Sequence, residues 1–181
     1  MSTDVNRLAV ITWLAENTRG LGRTALMKYC YFLQVVRGVR LGYRFSLYSY
    51  GPFDSDVLSD LDSAESMGGV KSSIVYFSGG YGYRIEPGER ADRVRGLGEA
   101  FIDAHRKDLQ WVSEQFGSWD ASDLEVASTL VYSDREAWRS GEHLTISELS
   151  KRIRDLKPRY SLPQIEGQAE RLARLGLFQS I

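Results

Sequence analysis

The chain has 181 residues, 43% hydrophobic and 26% charged, with a formal net charge of −1. That length allows one domain or two small ones sharing an interface, and the composition excludes a disordered or low-complexity chain. The near-neutral balance excludes whole-molecule attraction to nucleic acid or an anionic membrane, so any such binding must come from a local patch.

Asp4 reads as the N-cap of a first helix reaching Asn17, with Val5, Leu8, Ile11 or Thr12, and Ala15 at helical spacing. Gly20 and Gly22 break it. A second helix from Arg23 to about Val36 aligns Leu26, Tyr29 or Cys30, and Leu33, and stops at Gly38. From Tyr43 the period changes to 2: Tyr43, Phe45 and Leu47 point one way, Arg44, Ser46 and Tyr48 the other, which predicts a strand. Gly51-Pro52 predicts a corner, because proline fixes its own φ and biases the preceding residue away from helix. A helix over about Ser55 to Met67 follows, with Val57, Leu58 and Leu61 inward, closed by Gly68-Gly69. Val70 to Glu86 then predicts a hairpin tipped by Ser78-Gly79-Gly80. Helix, strand, helix, hairpin over residues 22–86 is a winged-helix order, with the hairpin as the wing.

Beyond Pro87-Gly88, the apolar positions Val94, Leu97, Phe101, Leu109, Val112 and Phe116 predict one long helix of roughly 40 Å from Ala91, at 1.5 Å per residue. Gly96 and Gly98 inside it mark close helix packing or a kink. Three more helices follow. They span about Ser122 to Trp138, Ile146 to Leu156 behind a Thr145/Glu148 capping-box spacing, and Leu162 to Leu175 behind Ser161 and Pro163. Ile146, Leu149, Ile153 and Leu156 are the expected inner face of the second. The fold class expected is mainly α with a small β-hairpin or sheet, two winged-helix-like units joined by the long helix. The divisions would be residues 1–88, 89–118 and 119–181.

No apolar run approaches the roughly 20 residues that span a bilayer, and the first residues lack a secretory pattern. A cytoplasmic protein with no membrane partner is expected. Cys30 is the single cysteine, so no intramolecular disulfide and no cysteine metal cluster can form, and it reads as a buried small apolar residue.

Several stretches resemble a known family. They are Leu26-x-Lys28-x-x-Tyr31-Phe-Leu-Gln34, Tyr43-x-Phe45-x-x-Tyr48-x-Tyr50-Gly-Pro-Phe-Asp-Ser, Gly68-Gly-Val, Asp123-Leu-Glu-Val-Ala-Ser-Thr, Leu156-Lys-Pro-Arg-Tyr-Ser and Ala173-Arg-Leu-Gly-Leu-Phe. The chain resembles the YwgA-like bacterial and archaeal proteins, which are distantly similar to the Panacea, or SocA-like antitoxin, domain. The resemblance implies a fold without a catalytic signature and, on the Panacea side, a role in binding and neutralising a partner protein.

The chemistry-bearing residues favour binding over catalysis. His105 and His143 are the only histidines and neither has a ligand cluster at metal spacing, so no metal site and no cofactor are expected. Asp54, Asp56, Asp60, Asp62 and Glu65 form an acidic run whose simplest cause is favourable interaction with a helix start and a solvated face; an acidic docking surface, a Mg²⁺ site or a carboxylate pair for acid–base work are the alternatives. Gly79-Gly80-Tyr81-Gly82 lacks the lysine and following helix of a phosphate-binding loop and reads as a turn. The twelve aromatic residues from Tyr29 to Tyr83 read mostly as core.

Alternation nevertheless puts Tyr48 and Tyr50 opposite the Phe45 face. Together with Arg44, Phe53 and Asp54 they make the candidate protein-binding patch, rich in the residue types that anchor interfaces. The candidate nucleic-acid contacts are Lys71 and Arg84 near the hairpin, and Lys151, Arg152, Arg154, Lys157 and Arg159 in the densest basic stretch. The last helix, with two acids against two arginines, is a poor DNA reader. The expected function is therefore a non-enzymatic interaction or regulatory protein with a protein partner, antitoxin-like or adaptor in role. A winged-helix nucleic-acid-binding regulator is the alternative, an enzyme with a spatially assembled acid site a distant third, and a homo-oligomer is compatible with either binding role.

Overall fold

The structure, a computed structural model, describes residues 4–181. In chain order the elements are α1 (Val5–Asn17), α2 (Arg23–Val35), β1 (Ser46–Tyr48), β2 (Gly51–Phe53), α3 (Ser55–Ser66), β3 (Val70–Phe77), β4 (Gly80–Pro87), α4 (Ala91–Gly96), α5 (Glu99–Phe116), α6 (Ala121–Arg139), α7 (Ile146–Leu156) and α8 (Leu162–Arg174). Among the described residues the chain is thus mainly α with two separate two-stranded antiparallel sheets, β1-β2 and β3-β4. It divides into two compact units: residues 1–45 with 54–119, and residues 46–53 with 120–181. The expected boundaries at 88 and 118 differ from these because residues 46–53 group with the C-terminal helices, and α4 and α5 pack within the first unit.

In the first unit α1 is the central helix. Every residue from Leu8 to Ala15 is buried, which is why its sequence is apolar nearly all round. Asp4 caps it, accepting the Asn6 N–H at 3.0 Å. Across from it, the Phe32 ring of α2 stacks on Phe116 of α5 at 4.2 Å, and the Tyr29 hydroxyl donates to the Phe116 carbonyl at 3.0 Å. Each such fully buried side chain contributes about 1.5–3 kcal/mol of transfer energy.

The long helix expected over 91–116 is broken. The break falls at Leu97-Gly98, where a Cβ on Gly98 would lie 2.7 Å from the Ala9 Cβ and 3.2 Å from the Asn6 Cα. Close approach to α1 therefore requires glycine there, and Leu97, in the break, is exposed.

The strand expected from Tyr43 is shorter and pairs differently. Only Ser46–Tyr48 is strand, and it pairs with β2 in the register Ser46↔Phe53, Leu47↔Pro52, Tyr48↔Gly51, without joining β3-β4. The reversal falls at Ser49-Tyr50, just ahead of the expected Gly51-Pro52 corner, and Gly51 (φ 88) carries the left-handed conformation that closes it. The later hairpin is as expected, with Phe77↔Gly80 closing over Ser78-Gly79.

In the second unit α6, α7 and α8 pack round Leu124, Leu130, Leu149, Ile153, Ile165 and Leu172, all fully buried. Thr145/Glu148 and Ser161/Gln164 both form complete capping boxes. The inner stripe of α7 runs Leu149, Ser150, Ile153 and on to Lys157, so Leu156 is turned outward and not buried as expected. Asp134, wholly buried, accepts the Gln179 and Ser180 N–H groups at 2.8 and 2.9 Å and pins the last residues. No helix of the described residues is long and apolar enough to cross a membrane.

Candidate functional site

The second unit owns the short hairpin β1-β2, and its anchor is a buried lysine. Lys157 is the residue at which α7 ends, beside Pro158, which cannot continue a helix. Its side chain is 6% exposed and its Nζ donates to the carbonyl of Ser49 and, at 3.4 Å, to that of Tyr48. The same Nζ lies 3.0 Å from Oε1 of Glu125, an α6 residue only 4% exposed. That contact is an ion pair without hydrogen-bond geometry, since Oε1 has no hydrogen-bond partner among the described residues.

The other oxygen, Oε2, accepts from Arg159 and, at 3.1 Å, from the Tyr160 hydroxyl, which in turn accepts from Ser122 Oγ at 3.1 Å. The Arg159 guanidinium sits 4.9 Å from the Tyr50 ring centre and 5.1 Å from that of Tyr160. Tyr48 leans on Phe53 at 5.4 Å between ring centres. A charge buried behind the turn thus fixes its backbone, while the Tyr48 and Tyr50 side chains remain 62% and 65% exposed.

Of the five residues proposed for a protein-binding patch, Tyr48, Tyr50 and Phe53 come together here. Arg44 and Asp54 belong to the first unit, where the Asp54 carboxylate accepts the Arg44 N–H and, at 2.9 Å, the Asp56 N–H. Asp54 is therefore the N-cap of α3 and the tie across the base of the 46–53 excursion.

Asp56, Asp60 and Glu65 of the acidic run are employed as well. Asp56 lies 3.9 Å from Arg7, and Glu65 accepts the Ser72 N–H at 2.6 Å. Asp60 accepts the Tyr43 hydroxyl at 2.9 Å and stands 3.4 Å from Arg7, whose guanidinium lies over the Tyr43 ring at 4.3 Å. Burial raises the Asp60 carboxyl, against the lowering effect of the Tyr43 hydrogen bond and Arg7. Burial likewise raises the Tyr43 hydroxyl and, with the Asp60 charge, pushes the Cys30 thiol up to about 12. Cys30 is fully buried, as expected for an unreactive core thiol.

The basic residues proposed for nucleic acid sort into two groups. In the stretch 151–159, Lys157 is buried and paired, so it is withdrawn from any surface role; Arg159 is bound to Glu125, and Arg152 pairs with Glu142 at 2.7 Å. Lys151 and Arg154 are exposed. Lys71 and Arg84, on β3 and β4, are exposed as well.

That longer hairpin corrects the assignment of its aromatics to the core. Tyr76, Phe77 and Tyr81 are 81%, 61% and 60% exposed. Their exposure could have been read from the sequence, because a two-stranded hairpin has one face to bury and aromatics lie here on both. Glu125, the acid on which the second unit's polar cluster turns, carried no such signal; only the fold brings it to Lys157. Comparison with known proteins adds no relative: no family model, no curated protein and no solved structure matches the chain.

Proposed function

We propose that the protein is a non-enzymatic interaction module of the cytoplasm that docks a protein partner through the Ser49-Tyr50 turn, in an antitoxin-like or adaptor role. One observation carries this reading: the turn is held from behind by buried Lys157 while Tyr48 and Tyr50 stay mostly exposed. A tyrosine offers a large amphipathic surface with few rotatable bonds, and fixing its backbone beforehand removes ordering cost from the binding step. The adjacent Arg159 guanidinium, already oriented by Glu125, adds the other residue type most often found at interface hot spots. The resemblance to YwgA-like and Panacea proteins supports the same role.

The test is affinity purification from the native host with wild type and Tyr48→Ala/Tyr50→Ala. Partner abundance should fall at least tenfold for the variant while its far-UV circular dichroism and hydrodynamic size stay unchanged. Recovery of the same partners at the same abundance by a folded variant overturns the reading. Loss of a homodimer in place of a foreign partner would reassign the turn to self-association.

A further inference from the structure

The β3-β4 hairpin carries a second surface, in the first unit, that the docking turn does not use. The register sets Ile74 opposite Tyr83 and Tyr76 opposite Tyr81, so all four share a face with Val70 and Ile85. At the base that face is core: Val70 and Ile85 are buried, and the Ile85 N–H donates to the Leu21 carbonyl at 2.7 Å. Past the core the same face continues into solvent as a ladder of rings. Tyr83 and Tyr81 stand 6.1 Å apart and Tyr81 and Tyr76 6.5 Å apart. On the opposite face Phe77 packs beside Gly82, where a Cβ would meet its ring at 3.3 Å.

The ladder begins on a cation. The Arg23 guanidinium lies 3.7 Å from the Tyr83 ring centre, and its Nε is buried without a hydrogen-bond partner. Among the described residues no carboxylate pairs with Arg23, Lys71 or Arg84 within 4.0 Å. By the same register Lys71 and Arg84 stand on the opposite face of the hairpin, Lys71 across from Glu86, so the cation placed against the ladder is Arg23. An occupant suited to this face has flat apolar surfaces repeated along a line and a negative charge to meet Arg23 at one end.

From this we infer that the Arg23-Tyr83-Tyr81-Tyr76 face binds single-stranded nucleic acid. Bases stack on the tyrosine rings, and a backbone phosphate is drawn to Arg23 at the base of the ladder. Stacking on aromatic rings is tolerant of sequence because every base has a π-face, and a duplex hides those faces. The face is accordingly selective for strand state and indifferent to sequence.

The test is fluorescence anisotropy of the full chain with labelled 20-mers of single-stranded DNA and RNA, and with the matching duplexes, at low salt. Single strands should bind at least tenfold tighter than duplexes, and affinity should fall with salt along a log–log slope of about −0.7 per phosphate contacted. Tyr76→Ala/Tyr81→Ala should weaken binding at least fivefold, and Tyr76→Phe/Tyr81→Phe should retain it, because phenylalanine keeps the stacking face. Arg23→Gln should flatten the salt slope. Since Tyr76 and Tyr81 are exposed, the variants should keep the wild-type circular dichroism and unfolding midpoint. No binding of single strands at low salt, equal binding of duplexes, or an affinity indifferent to Tyr76→Ala/Tyr81→Ala overturns the inference. So does loss of a protein partner with oligonucleotide binding unchanged.

Discussion

Replacing Lys157 by methionine keeps its apolar stem and removes only the ammonium group, so it isolates what that charge does. Three partners lose it: Glu125 Oε1 at 3.0 Å and the carbonyls of Tyr48 and Ser49. Removing one member of a buried ion pair costs about 3–5 kcal/mol when the other charge is left alone. Glu125 keeps Arg159 and the Tyr160 hydroxyl, and the carbonyls of the exposed turn can turn to water. The expected loss is therefore smaller, about 2–3 kcal/mol in urea unfolding. Hydrogen exchange should localise it, with protection lost first at residues 46–53. Adding Glu125→Gln should recover part of the loss, a coupling of about 1–2 kcal/mol in the double-mutant cycle. A change below about 0.5 kcal/mol, the range of ordinary surface substitutions, with hairpin protection intact, would refute the anchoring role of Lys157.

Three other outcomes follow from buried groups. Asp134→Ala removes the acceptor of the Gln179 and Ser180 N–H groups and should cost about 2–4 kcal/mol, with the last residues becoming open to carboxypeptidase digestion; a resistant tail would refute the pinning. Gly98→Ala drives a methyl group to 2.7 Å from Ala9 and should cost about 1–3 kcal/mol by urea unfolding, whereas Gly96→Ala, in open space, should be neutral or stabilising. The Cys30 thiol, ordinarily ionising near 9.0, is pushed up to about 12 by burial and the Asp60 charge. The unfolded chain thus gives up a proton above pH 9 that the folded chain keeps. This contribution is intact below pH 9 and is lost by about 1.4 kcal/mol per pH unit up to about pH 12. Tyr29 and Tyr43, both raised by burial, act in the same direction. Cys30→Ala should make the decline between pH 9 and 11 shallower, and an unchanged slope would refute the assignment.

The local signals in this chain were legible wherever one residue type has one physical use. Asp4, Thr145 and Ser161 cap the helices that follow them because a short side-chain oxygen before an apolar periodic run has little else to do. The hairpin tip at Ser78-Gly79 follows from glycine's access to positive φ. What was not legible depends on partners distant in sequence. Periodicity carries the 91–116 pattern straight through Gly98, because the demand for glycine comes from Ala9 and Asn6 in another helix. Lys157 reads as one more member of a basic stretch. Its burial is decided by Glu125, 32 positions earlier, and by two carbonyls more than 100 positions earlier. Tyr48 points outward as read, at the end of a period-2 strand, whereas Tyr50 is exposed because it lies in the turn and not through continued alternation.

Under the two roles proposed above, the hairpins would use similar ingredients for different binding physics. Both use a glycine of positive φ, Gly51 beside the first turn and Gly79 within the second, and both present tyrosines, but they are held in different ways. The turn at Ser49-Tyr50 is fixed at its tip, where Lys157 grips two successive carbonyls, so its rings are offered in one geometry and suit a partner of fixed shape. The β3-β4 hairpin is fixed at its base, through Val70 and Ile85, and its tip is free of such a grip. Its rings rest on one another and on Arg23. Rigid anchorage also requires a buried charge to be neutralised, which is why the acid–base cluster of Glu125, Lys157 and Arg159 lies behind the first hairpin. Behind the second, a guanidinium faces a ring with no carboxylate beside it among the described residues, and a charge left in that state is one that a ligand can complete.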